Sequence, residues 1–149
     1  MYLDSAIIVK LLVRESDSDW FDRRLQGQPF ETSELALTEV RSALLAKERA
    51  GHITSHERVS ASGKFLGMVA DDLLRLFPLS RAVVNRASAI QLACHPRIPL
   101  PTPAALHVAT CELHRSGALS TTDGRMRAAC EQFAITLVPA RPEDVTTRE

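Results

Sequence analysis

Apolar residues recur along the chain in short extended runs that alternate with longer stretches of helical spacing. The extended runs predict five strands, at residues 2–4, 29–33, 73–79, 118–122 and 135–138. Helical spacing predicts seven helices, at residues 6–13, 16–25, 35–50, 54–72, 80–94, 102–116 and 123–133. Strands that are separated by helices need crossover connections. The pattern therefore predicts a single three-layer α/β domain with a short central parallel sheet covered on both faces.

Capping residues predict where three of these helices begin. Ser5 is a candidate cap for the first helix, and Thr54 with Glu57 has the spacing of a capping box. Thr102 and Pro103 are predicted as the N-cap and the first helical residue after a proline-rich connector. We expect the domain to span residues 1–139, and we expect residues 140–149 to form a polar C-terminal tail.

Composition narrows the classes of function. The chain has 149 residues, of which 45% are hydrophobic and 24% charged, the balance of an ordinary globular domain. Its 18 basic side chains equal its 18 acidic ones, so bulk charge alone cannot hold a nucleic acid. A nucleic-acid partner would need a local basic patch.

The cysteines and the hydropathy of the chain indicate in which cell compartment the protein is expected. Cys94, Cys111 and Cys130 are odd in number and widely spaced, so neither a disulfide framework nor a structural zinc knuckle is indicated. The apolar N-terminal run is broken by Lys10 and lacks the basic start of a signal peptide. Nothing approaches 18 uninterrupted apolar residues. We therefore expect a cytoplasmic protein that makes no use of the membrane.

Two predicted strands end in an aspartate, Asp4 and Asp123. The carboxyl ends of parallel strands meet at one edge of the sheet, where ligands collect, so these carboxylates should lie close together. They would repel each other unless a cation lay between them, and hard oxygen ligands suit Mg²⁺ or Mn²⁺. The alternative is that each aspartate only caps the helix that follows it.

A third acid, Glu39, lies inside the strongest predicted helix. At helical spacing it shares a stripe with small, mostly apolar residues, namely Leu35, Ala36, Ser42, Ala43 and Ala46. A carboxylate on a core-facing stripe is costly unless it is paired or coordinated. Glu39 is therefore a candidate third ligand, or else an exposed glutamate or one paired with Arg41 or Arg86.

Three segments together resemble the PIN-domain family, and in particular the VapC-type toxins of bacterial toxin–antitoxin pairs. They are the opening MYLDSAIIVKLL, the helix LALTEVRSAL around Glu39, and the segment LSTTDGRM around Asp123. The resemblance runs in the right order from residue 1 to about 139. It implies a PIN-like α/β/α fold with Asp4, Glu39 and Asp123 in one metal site, and with the Ser5 and Thr122 hydroxyls orienting the aspartates.

The resemblance also implies an activity and partners. The family's activity is Mg²⁺-dependent endoribonuclease cleavage of structured RNA such as tRNA or rRNA, inhibited by a cognate VapB-like antitoxin, and we expect a homodimer. One position departs from the family pattern, because Ala104 replaces an aspartate that is a main metal ligand there. The site would then bind Mg²⁺ weakly, which leaves an impaired nuclease or a degenerate, non-cleaving PIN domain that binds antitoxin or RNA.

Other candidate sites are weaker. His107, Cys111 and His114 have a helical spacing that would suit zinc, although a cysteine on such a face is more often part of a core. Arginine outnumbers lysine 15 to 3, and Arg41, Arg125 and Arg127 lie near the acidic motifs, where they are candidates for RNA phosphate contacts. The alternative is that these arginines serve only surface solubility. A third interpretation of the whole chain is an unrelated α/β protein whose aspartates are helix caps.

Overall fold

The computed structural model describes residues 1–139. The strands are β1 (Tyr2–Leu3), β2 (Phe30–Ser33), β3 (Leu74–Phe77) and β4 (Leu119–Ser120). The helices are α1 (Ser5–Leu12), α2 (Ser18–Leu25), α3 (Ala36–Arg49), α4 (Ser55–Ala70), α5 (Arg81–Cys94), α6 (Thr102–Leu113) and α7 (Gly124–Gln132).

The four strands form one parallel sheet in the order β3-β2-β1-β4. The first strand therefore lies inside the sheet, between β2, the next strand along the chain, and β4, the last. Leu3 pairs in register with Ser120, which brings the carboxyl ends of β1 and β4 side by side. The residues that follow these two strands consequently meet at one edge of the sheet.

A separate hydrophobic core covers each face of the sheet. Tyr2 and Leu3 are fully buried and, as successive strand residues, point to opposite faces. The Tyr2 side packs against buried residues of α5, α6 and α7. The Leu3 side packs against buried residues of α1, α2, α3 and α4. The predicted three-layer α/β fold with a short parallel sheet is confirmed.

Two helix starts differ from their predictions. Asp4, and not Ser5, is the N-cap of α1, and its carboxylate accepts the backbone N–H of Ile7 at 2.8 Å. Pro101, and not Thr102, is the N-cap of α6, so Thr102 and Pro103 are its first two helical residues. A proline suits this place because its extended backbone leads into the helix and its carbonyl accepts the first helical hydrogen bond.

The predicted fifth strand at residues 135–138 is wrong. Leu137 forms a single parallel bridge with Leu119 and starts no ladder of its own. Two backbone hydrogen bonds to Leu119 hold it there: the Leu119 N–H donates to the carbonyl of Thr136, and the Leu119 carbonyl accepts the N–H of Val138, both at 2.9 Å. The predicted tail at residues 140–149 lies outside the described residues. Within the described part of the chain, the helices are too short or too polar to cross a membrane.

Candidate active site at the edge of the parallel sheet

The site begins with two aspartates that each join a strand to a helix. Asp4 follows β1 and caps α1, while Asp123 follows β4 and caps α7. The backbone N–H of Asp4 donates to the carbonyl of Ser120 at 3.2 Å, which ties the two junctions together. The capping role that the sequence offers as an alternative is therefore real for both residues, and it places both carboxylates at one edge of the sheet.

Asp4 is a buried carboxylate whose two oxygens both accept hydrogen bonds. One oxygen accepts the Ile7 amide, and the other accepts the hydroxyl of Thr121. Burial raises the pKa of Asp4, the hydrogen bonds and His107 oppose that rise, and the negative charge of Asp123 adds to it. A cation in the neighbouring cavity would stabilise the ionised form.

Asp123 is more accessible, with about a third of its side chain exposed. Its Oδ1 accepts the backbone N–H groups of Arg125 and Met126 at 2.8 and 3.1 Å. Its Oδ2 lies 3.8 Å from the guanidinium of Arg125. One oxygen of this carboxylate is thus used by the helix cap, and the other remains open to a ligand.

Thr121 connects the two aspartates. Its hydroxyl donates to Asp4 and accepts the backbone N–H of Asp123 at 3.0 Å. The resemblance assigned the orienting role beside Asp123 to Thr122, whose contribution in the structure is to line the cavity. Thr121 was missed, although a threonine two residues before an aspartate often accepts that residue's amide in a local turn.

Glu39 approaches the same place from the first turn of α3. Its carboxylate lies 3.2 Å from Nε2 of His107, and its side chain remains 30% exposed. The predicted core-facing stripe around it holds only in part: Ala36 is buried and Ala43 packs against the core, whereas Ser42 and Ala46 are exposed. The Arg86 pairing is also wrong, since Arg86 binds Glu112 at 2.7 Å.

The three predicted acids line one cavity of about 370 Å³. Its wall also includes Ser5, whose hydroxyl lies 3.4 Å from Nε2 of His107. Ala104 is buried in the wall, one helical turn before His107. Glu112 is held elsewhere by Arg86, so it does not supply the carboxylate that position 104 lacks.

The residues present fit a divalent cation only in part. Carboxylate and hydroxyl oxygens are the donors that Mg²⁺ and Mn²⁺ prefer. Within residues 1–139, however, no three of the His, Cys, Asp and Glu side chains stand close enough together to enclose an ion. The donor set therefore fits an Mg²⁺ ion bound by one or two carboxylates and several waters, and it does not form a closed protein cage.

The three candidate arginines lie in different surroundings. Arg125 lines the cavity beside Asp123. Arg41 is exposed on α3. The guanidinium of Arg127 instead donates to the carbonyls of Thr121 and Val138 at 3.0 and 3.1 Å, which fastens the segment after α7 to the β4 loop.

The zinc alternative on α6 is not supported by the geometry. Cys111 is buried in the core, His114 stacks on the Phe77 ring at 3.8 Å, and His107 faces Tyr2 and Glu39. Burial also raises the pKa of the Cys111 and Cys130 thiols to about 12. Cys94, Cys111 and Cys130 are all free and buried.

Comparisons with known proteins extend over nearly the whole chain. The family model described as PIN domain matches residues 1–132. Ribonuclease VapC46 of Mycobacterium tuberculosis is 33% identical over 141 residues, which cover 93% of this chain and 95% of that protein. The structure of Mycobacterium tuberculosis VapC20, a sarcin–ricin loop cleaving toxin, has a TM-score of 0.68 at 19% identity and covers 95% of this chain and 98% of its own. A toxin–antitoxin complex from Klebsiella pneumoniae has a TM-score of 0.62 at 14% identity, with 93% and 95% covered.

Proposed function

The chain belongs to the PIN-domain family, and we propose that it is a VapC-like ribonuclease toxin that cleaves structured RNA with a divalent cation. One observation carries this proposal: Asp4, Glu39 and Asp123 come from three distant parts of the chain and line one cavity. Caps alone would account for Asp4 and Asp123 but not for the approach of Glu39. The name of VapC46 as a ribonuclease supports the same reaction class.

We propose Mg²⁺ or Mn²⁺ as the cofactor, bound by Asp4 and Asp123 with Glu39 beside them. When bound, such an ion lowers the pKa of a coordinated water and offsets charge on the phosphoryl oxygens. Thr121 holds the Asp4 carboxylate, and the α7 amides hold that of Asp123, so both are oriented before substrate arrives. Arg125 at the cavity wall is placed to contact an RNA phosphate.

A structured RNA of the tRNA or rRNA class is the proposed substrate. The structure of VapC20, which shares this fold, is that of a sarcin–ricin loop cleaving toxin, and this supports the proposed class of substrate. We further propose a VapB-like antitoxin as inhibitor, which the toxin–antitoxin complex of the same fold supports. The working form that we propose is a cytoplasmic homodimer.

The alternative is a degenerate PIN domain that binds RNA or antitoxin without cleaving. Ala104 favours this alternative, because it leaves the cavity wall without a carboxylate where the family has a main metal ligand. The two hypotheses share a fold and differ in whether the remaining acids hold an ion firmly enough for hydrolysis.

The test compares RNA cleavage as a function of Mg²⁺ concentration for the natural chain and for Ala104→Asp. The RNA probe is a mixture of tRNA and a sarcin–ricin stem–loop. We expect Ala104→Asp to raise cleavage at limiting Mg²⁺ by at least about tenfold, because ligand-shell changes alter metal affinity by roughly 10–100-fold. Equal rates at every Mg²⁺ concentration would contradict the assigned role of position 104.

Asp4→Asn and Asp123→Asn separate the enzyme from its alternatives. Asparagine still caps a helix, so both variants should fold, yet each loses a charged metal ligand. For the enzyme we expect cleavage to fall by about two orders of magnitude, with the exposed Asp71→Asn as matched control. A natural chain without cleavage that gains it only with Ala104→Asp would instead support the degenerate domain.

A further inference from the structure

Three hydrogen-bonded side chains, those of Tyr2, His107 and Glu39, form a row that leads from the core into the cavity. The hydroxyl of Tyr2 lies 2.8 Å from Nδ1 of His107, and Nε2 of His107 lies 3.2 and 3.4 Å from the two oxygens of Glu39. Tyr2 is fully buried, His107 is 2% exposed, and only Glu39 reaches solvent. These three side chains therefore connect the core on one face of the sheet to the acidic cavity.

The chemistry of the partners fixes the direction of these hydrogen bonds. An ionised carboxylate only accepts, so the proton between Glu39 and His107 must be on Nε2. In the uncharged imidazole Nδ1 is then an acceptor, and the Tyr2 hydroxyl must be the donor.

His107 is also what holds Glu39. Among residues 1–139, the hydrogen bonds of the Glu39 carboxylate are those to Nε2 of His107. No side-chain cap is formed at the start of α3, so no capping hydrogen bond within that helix holds the Glu39 side chain. The imidazole itself is fixed on its far side by Tyr2, whose ring meets it edge-on at 5.8 Å between centroids.

We propose that Tyr2 and His107 are positioning residues for the Glu39 carboxylate: the N–H at Nε2 of His107 holds it at the cavity, and the Tyr2 hydroxyl holds the imidazole by donating to Nδ1. The inference rests on the proposed function and deepens it by assigning how the third acid is placed. The alanine at position 104 makes the placement of Glu39 more important. With alanine one turn before His107, the α6 wall contributes the imidazole and no carboxylate, so Glu39 must be supplied from α3.

The variants are chosen to separate positioning from packing. His107→Leu removes the donor to Glu39, whereas His107→Gln keeps an amide N–H where Nε2 stood. Tyr2→Phe is nearly isosteric and removes only the hydroxyl that donates to Nδ1 of His107. His114→Gln, at the end of the same helix and away from the cavity, is the matched control.

The main readout is the affinity for Mn²⁺ alone, by isothermal titration calorimetry, with circular dichroism as a check of folding. We expect His107→Leu to lose about tenfold in affinity, Gln to recover most of it, and Tyr2→Phe to lose a few-fold. If Asp4→Asn and Asp123→Asn abolish Mn²⁺ binding while His107→Leu and Tyr2→Phe bind as the natural chain does, the positioning role is overturned and the proposed function stands.

A second readout requires no metal. Long-range ¹H–¹⁵N spectra of the apo protein should show His107 protonated on Nε2, with a resonance that moves in Glu39→Gln and a mixed tautomer in Tyr2→Phe. If the aspartate variants leave Mn²⁺ binding unchanged, the proposed function fails and this spectrum alone decides the inference. A proton found on Nδ1 in the natural chain would overturn it, even if His107→Leu fails to fold.

Discussion

Asp4 serves two roles with one buried carboxylate, since it caps α1 and lines the cavity. Its hydrogen bonds from Ile7 and Thr121 reduce the cost of burying its charge, but burial still raises its pKa above the ordinary value of 3.8. The folded protein therefore binds a proton here more readily than the unfolded chain does. Stability contributed by this residue falls as the pH rises from 3.8 through the raised folded pKa.

We predict that Asp4→Asn stabilises the metal-free protein at neutral pH by roughly 1 kcal/mol. The asparagine oxygen can still accept from Ile7, and its amide can donate to the Thr121 hydroxyl, so the change removes the buried charge, keeps one hydrogen bond and reverses the direction of the other. Urea unfolding from pH 3 to 8 measures this, and the gain should vanish towards the acidic end. A variant that is less stable than the natural chain at pH 7, with exposed Asp71→Asn unchanged, would contradict it.

The sequence predicted that the acidic residues lie together at one edge of the sheet, but it did not predict the side chains that contact them. Asp4 and Asp123 could be found because each follows an apolar strand, and strand ends of a parallel sheet share an edge. The contact between Tyr2 and His107 could not be predicted, because a tyrosine also fits a buried strand and a histidine a helical core. Their hydrogen bond joins residues that are 105 positions apart, and no local pattern encodes it.

Among the helices, α4 begins with the most complete local signal. Thr54 accepts the amide of Glu57 at 3.1 Å, and Glu57 accepts the amide of Thr54 at 2.7 Å, which is the predicted capping box. The start of α4 was predictable because both partners lie within four residues of each other. The start of α6 was predicted one residue too late, because the local rule favours Thr102 as the N-cap, whereas the helix begins after Pro101 with no side-chain cap.

We predict that Thr54→Ala destabilises the protein by about 1 kcal/mol, the usual cost of losing an N-cap. Ser60→Ala, an exposed change within the same helix, is the control and should be neutral or slightly stabilising, since alanine is the better helix former. Urea unfolding midpoints for the two variants give the comparison. A loss of equal size in both would mean that α4 responds to any substitution and that the cap has no special weight.

At the scale of the whole molecule, the balanced charge limits how the proposed RNA substrate can bind. With 18 basic and 18 acidic side chains, the protein as a whole exerts little long-range attraction on RNA. Affinity for RNA would then come from contacts at the cavity. The three candidate arginines are not equivalent in this respect. Arg125 faces the cavity and Arg41 is exposed, whereas Arg127 is occupied by two backbone carbonyls.

We therefore predict a shallow salt dependence of RNA binding, with log affinity falling against log salt at a slope of magnitude about 2 to 3, which corresponds to a few phosphate contacts. Arg125→Ala should reduce that slope by about 1.

Arg127→Ala should leave the slope unchanged and lower the free energy of unfolding by about 1 kcal/mol, because two carbonyls lose a donor. Fluorescence anisotropy with a labelled stem–loop from 50 to 300 mM salt measures the slopes, and urea unfolding measures the stability. A steep slope, or one that Arg127 changes as much as Arg125, would place the RNA on a broader basic surface than this cleft.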